Sequence, residues 1–130
     1  MRAADSNVVI RLLVKDKANE VALAEGCLAA GIWLSHIVLV ETAWVLESFY
    51  GRSAAQAVEA IELLLGHAQI TVEAPDLVRA AVALAKAHKG IDFADGLILE
   101  SARRAGMAPL ATFDRKFGRL DGTEWLLKGR

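Results

Sequence analysis

Apolar and polar residues alternate with two different periods along this chain, and the changes of period mark its elements. Met1–Asp5 reads as a short strand leading into Asp5-Ser6-Asn7, three residue types that cap helices. An apolar helical run follows from Val8 to Val14, with Arg11 inside it. A second helix is expected over Asp16–Ala30, with Val21, Leu23, Ala24 and Leu28 as apolar contacts and Gly31 as its stop. Ile32-Trp33-Leu34 is a buried strand, after which Ser35 caps a helix from His36 to Tyr50 that Gly51 ends. Ser53–Leu65 is amphipathic and closed by Gly66, and Gln69–Val72 alternates as a strand. Pro75-Asp76 opens a helix running to His88, and Asp92–Ala105 forms the next. Pro109–Thr112 is a strand running into Phe113-Asp114, Arg115-Lys116-Phe117 a helical turn, and Thr123–Leu127 a last edge strand. Strands and helices alternating in this way predict an α/β/α sandwich on a mainly parallel sheet. In such sheets the functional crevice lies beyond the carboxyl ends of the strands.

A length of 130 residues without linker, repeat or low-complexity stretch predicts a single domain over residues 1–130. The 55% hydrophobic content supports a folded core. Cys27, the only cysteine, rules out an internal disulfide and a cysteine-rich zinc site, and suits a reducing cytoplasm. The richest apolar run, Ile32–Leu46, is broken by Ser35, His36, Glu41 and Thr42, so no membrane span is expected. Arg2 followed by Asp5 and Asn7 does not make a secretory signal. The net charge of −1 does not advertise a polyanionic partner. The charge is uneven, however: residues 101–130 carry 7 Lys/Arg against 3 Asp/Glu, whereas residues 1–100 carry 8 against 13.

The candidate chemistry is carboxylate chemistry. Asp5 and Asp114 each follow an expected strand, and Asp95 lies in the first turn of a helix for which Asp92 is the expected cap. Glu41 shares one side of its helix with Ile37, Val38, Trp44 and Val45, a costly place for an unpaired acid. Separately, three of these acids are helix-start residues and one is a core-edge Glu. Jointly, all four project from one edge of the sheet, where they would repel and raise one another's pKa unless a divalent cation sat among them. Oxygen ligands of this kind suit Mg²⁺ or Mn²⁺. His36, His67 and His88 lie on separate segments and lack zinc-ligand spacing. Walker, dinucleotide and Gly-x-Ser-x-Gly signatures are absent.

Taken in order, Asp5-Ser6-Asn7, Ser35-His36-Ile37-Val38-Leu39-Val40-Glu41, Asp92-Phe93-Ala94-Asp95 and Thr112-Phe113-Asp114 resemble the motifs of PIN-domain ribonucleases, with the nearest likeness to VapC toxins of bacterial toxin–antitoxin pairs. The resemblance covers nearly the whole chain. It implies a five-stranded parallel sheet between helices and a Mg²⁺- or Mn²⁺-dependent endoribonuclease. It carries over Asp5, Glu41, Asp95 and Asp114 as catalytic, metal-holding acids, with Asn7 and Thr112 orienting them. Asp92 matches a further acid of the family, and a capping role explains it equally well. It further implies an RNA substrate, a cognate antitoxin and a homodimer. The basic residues Arg103, Arg104, Arg115, Lys116 and Arg119 are then candidates for flanking phosphates. Gly96 departs from the Ala common after the third acid and is expected to loosen its helix by up to about 1 kcal/mol. The competing readings are a phosphotransfer receiver or aspartate-nucleophile phosphatase, and a non-catalytic protein-binding module of the same fold. A phosphatase needs a second Asp where Asn7 stands, and a receiver needs paired early acids and a late strand-end Lys.

Overall fold

In the computed structural model, which describes residues 1–129, five short strands and six α-helices alternate along the chain. The order is β1 (Arg2–Ala3), α1 (Ser6–Val14), α2 (Ala18–Ala29), β2 (Ile32–Leu34), α3 (His36–Ser48), α4 (Ala54–Leu65), β3 (Ile70–Val72), α5 (Pro75–Ala87), α6 (Phe93–Arg104), β4 (Leu110–Thr112) and β5 (Thr123–Trp125). A 3-10 turn, Phe117–Arg119, lies between the last two strands. This is the expected α/β class, and every strand pairing is parallel. The strands divide into a three-stranded sheet, β1-β2-β3, and a separate β4-β5 pair, in place of the single five-stranded sheet that the resemblance implies. The chain forms two compact units, Met1–Pro75 and Asp76–Arg130. No helix among the described residues is long and apolar enough to cross a membrane.

In the first unit β2 is the central strand, with Ile32 opposite both Arg2 and Ile70. Ile32 and Leu34, which share one face of the strand, are fully buried, and Trp33 on the other face is half-buried. Helix α3 buries Leu39, Thr42, Ala43 and Leu46, a spacing that keeps one face inward. Thr42 satisfies its buried hydroxyl by donating to the Val38 carbonyl at 2.7 Å. The helices begin where short polar side chains accept backbone N–H groups: Asp5 for α1, Ser35 for α3 and Ser53 for α4. Asp16 lies outside α2, which starts two residues later than expected. Its carboxylate pairs with the buried Arg11 and accepts the Tyr50 hydroxyl at 3.0 Å. Burial alone would raise the pKa of Asp16, but these contacts outweigh it and hold the group below its usual value.

In the second unit, Leu77, Val78, Ala81 and Val82 of α5 and Phe93, Leu97 and Leu99 of α6 are buried. Ile91, Leu99 and Phe117 form a cluster against which Leu84, Leu110 and Leu120 pack. Gly96 has a packing role that helix propensity does not reveal: a Cβ there would come within 2.5 Å of the Ala81 carbonyl oxygen. The residue expected to loosen α6 is what lets α6 approach α5 at this point.

Candidate functional site

The first unit carries Asp5, Ser6, Asn7 and Glu41. The Ala4 N–H donates to the Trp33 carbonyl at 3.1 Å, so the β1 ladder runs up to Asp5. The chain then turns into α1, whose N-cap is Asp5, accepting the Val8 N–H at 3.2 Å. The next residue, Ser6, is buried, and its hydroxyl donates to Glu41 Oε1. This bond ties the start of α1 to the second turn of α3. Glu41 itself is exposed, and its helix neighbours Ile37 and Trp44 are 79% and 66% exposed. The apolar stripe expected around Glu41 is therefore an outward face, and the core face of α3 lies on the opposite side. Asn7 is exposed and, with Asp5, lines a cavity of about 610 Å³. Arg2, Val8, Leu23 and Cys27 form other parts of its wall.

The second unit carries Asp92, Asp95, Thr112 and Asp114. Asp92 and Asp95 cap each other's backbone. Asp92 Oδ1 accepts the Asp95 N–H at 2.8 Å, and Asp95 Oδ2 accepts the Asp92 N–H at 3.3 Å. The two carboxylates are thereby held close together at a partly buried helix start. Burial, followed by repulsion from Asp92 and, more weakly, from Asp114, pushes the Asp95 pKa up to about 6. The hydrogen bond from the Asp92 backbone opposes this without cancelling it. Asp114 is fixed by its neighbours: its N–H donates to Thr112 Oγ1 at 3.0 Å, and its Oδ1 accepts the Phe117 N–H at 3.0 Å. Thr112 thus holds the backbone of Asp114. Asp92 is a helix cap.

The basic residues expected to meet phosphates separate into two groups. Arg104 is paired with Asp76 at 2.7 Å, and Arg103 with Glu100 at 3.0 Å and with the Asp121 carbonyl. These two arginines fasten α6 to its surroundings, and part of each guanidinium is engaged there. Arg115, Lys116 and Arg119 remain exposed. Arg115 lies 5.7 Å from the centroid of the Trp125 ring.

The structure brings Ser6 to Glu41 within the first unit, and places Asp92, Asp95 and Asp114 within electrostatic reach in the second. Among the described residues no three His, Cys, Asp or Glu side chains are gathered closely enough to form a metal-binding group. Sequence reasoning missed Ser6 as the partner of Glu41. The available signal is its place directly after a cap, where a hydroxyl turns inward along the apolar side of α1. Comparison with known proteins finds no matching curated protein and no matching solved structure. The family model of the PIN domain, in contrast, matches residues 3–123, a span that includes both units and all the candidate acids. The chain therefore belongs to the PIN domain family, whose fold is nuclease-like.

Proposed function

We propose that this chain is a Mg²⁺- or Mn²⁺-dependent endoribonuclease, the toxin of a toxin–antitoxin pair, acting as a single nuclease domain. What supports this reading is the pair of carboxylates, Asp92 and Asp95, held together at one helix start in a chain of the PIN domain family. Asp92 and Asp95 crowd negative charge there and, with a weaker repulsion from Asp114, make the ionised form of Asp95 costly. An oxygen-only donor set with a deficit of positive charge fits a hard divalent cation. It does not fit zinc, since His36, His67 and His88 are each engaged elsewhere or solvent-exposed.

In this reading the acids that match the family's motifs, Asp5, Glu41, Asp95 and Asp114, would serve the ion. When bound, it would shield the scissile phosphate and acidify the attacking water. The chain's own groups orient these acids. Asp5 is fixed by capping α1, Glu41 by the Ser6 hydroxyl, Asp95 by its exchange with Asp92, and Asp114 by Thr112 and the Phe117 N–H. No His or Lys base is required. Arg115, Lys116 and Arg119 supply cationic groups for phosphates flanking the cut. The function further calls for a cognate antitoxin that covers the acids, and for a homodimer.

The test is cleavage of a single-stranded RNA by the purified chain with Mg²⁺, with Mn²⁺ and with EDTA. Hydrolysis by water does not use the 2′-hydroxyl, so a substrate with one deoxy sugar at the cut site should still be cleaved at a measurable rate. Undiminished cleavage in EDTA would overturn the metal assignment. After brief expression in cells, mapping of new RNA 5′ ends identifies the substrate.

A further inference from the structure

Phe113 lies between Thr112 and Asp114 and is 69% exposed. An isolated exposed ring would be unremarkable on a loose loop, but here the surrounding backbone is fixed. Strand pairing sets Thr112 opposite Trp125. The Trp125 indole N–H donates to the Phe113 carbonyl at 3.2 Å. The Asp114 N–H is held by Thr112 Oγ1 at 3.0 Å, and the Leu126 N–H donates to the Thr112 carbonyl at 2.9 Å. The ring is thus presented to solvent from a backbone that cannot readily turn it inward.

Its surroundings are those of a nucleotide contact. Arg115, two residues on, is kept near the Trp125 face at 5.7 Å, which limits its freedom without neutralising it. The stem of Lys116 lies against Gly90, where a Cβ would sit 3.1 Å from Lys116 Cδ. Two cations therefore follow the aromatic ring within a three-residue stretch, on the far side of the acid Asp114. The apolar area of this one exposed ring matches one base and is too small for a stable protein interface. A base in a duplex has both faces covered, so only an unpaired one offers a face to such a ring.

We infer that Phe113 is a stacking platform for one unpaired nucleobase of single-stranded RNA, with Arg115 and Lys116 holding the adjoining phosphates. The inference rests on the ribonuclease reading and names the form of RNA that the site takes. Stacking on an aromatic side chain is tolerant of base identity, so this contact selects strandedness rather than sequence.

The experiment measures binding of a short single-stranded RNA carrying 2-aminopurine at successive positions. It uses the full chain with Mg²⁺ in a Glu41→Gln background, so that the RNA stays intact. Phe113→Ala should weaken binding roughly 5- to 150-fold. Phe113→Trp should restore it, whereas Phe113→Leu, apolar but without a π face, should not. At one position 2-aminopurine fluorescence should be quenched when Phe113 is intact and not in the Phe113→Ala variant. A perfectly paired duplex should show no dependence on the residue at this position. RNA binding that survives Phe113→Ala, or is restored equally by Leu, overturns the stacking assignment and leaves the ribonuclease reading standing. It would also point to a protein partner for this ring. Failure of the chain with Phe113 intact to bind any RNA overturns both.

Discussion

Replacing Asp95 with Asn separates the electrostatic role of this side chain from its part in capping. The amide keeps the shape and an acceptor oxygen for the Asp92 N–H, and removes the charge. In the native protein the Asp95 pKa stands at about 6 against an ordinary 3.8, with burial as the larger cause and Asp92 the next. A carboxyl whose pKa is raised by folding supports the folded state only while protonated. Its contribution is complete below about pH 4, declines as pH rises through the native value, and levels off above it. The full displacement corresponds to a ceiling of about 3 kcal/mol. The group is partly open to water, whose screening reduces this to ~1 kcal/mol. Metal-free Asp95→Asn should therefore be more stable than wild type at pH 7.5, with a melting temperature higher by about 3–5 °C. The two should nearly coincide at pH 4. Thermal melts in EDTA at both pH values measure this directly. Added Mg²⁺ should then raise the melting temperature of wild type by mass action and leave the variant nearly unmoved. A variant that is less stable at pH 7.5, or equally shifted at both pH values, would refute the repulsion on which the argument stands.

Three further outcomes are expected. Glu41→Gln, nearly isosteric and uncharged, should lower RNA cleavage at least about 100-fold, ~2.7 kcal/mol of barrier, with an unchanged melt; activity within about threefold of wild type would return Glu41 to plain surface. Replacing Arg115 and Lys116 together with Ala should flatten the salt dependence of RNA binding by a slope of up to about 2, read from affinities across a salt series. Gly96→Ala should destabilise the protein by about 1–3 kcal/mol through overpacking, although helix propensity alone predicts a gain of up to about 1 kcal/mol; denaturant titration gives the sign.

Local signals in the sequence are legible where one residue decides the outcome. Asp5, Ser35 and Asp92 are each recognisable as caps because a short acceptor before an apolar run has few other uses. Ile32–Leu34 is readable at its true bounds because a three-residue apolar run between glycine and a cap leaves no room for slippage. Asp95 stands out as an acid at a helix start, and it is repelled by Asp92 and more weakly by Asp114. What the sequence hides depends on partners distant along the chain. The side of α3 that faces inward cannot be read from Glu41's neighbours, since apolar residues lie on both sides of that helix, and Ile37 and Trp44 face outward. The pairing of Arg104 with an acid is invisible because Asp76 lies 28 residues away. The division of the strands between two sheets likewise depends on pairings that no local pattern encodes.

The contact at Gly96 also bears on how this sequence can vary. The atom in the way of a side chain is the Ala81 carbonyl oxygen, which belongs to the main chain and is present whatever residue occupies position 81. No exchange of side chains at 81 can make room at 96, so the two positions cannot compensate for each other in the usual manner of a packed pair. A larger residue at 96 becomes acceptable only if α5 and α6 move apart, which takes several coordinated changes along both helices. Because Gly96 directly follows Asp95, such a drift would also carry that carboxylate with it. Single mutational steps at this position are costly, and the placement of the acid is guarded by a residue that has no chemistry of its own.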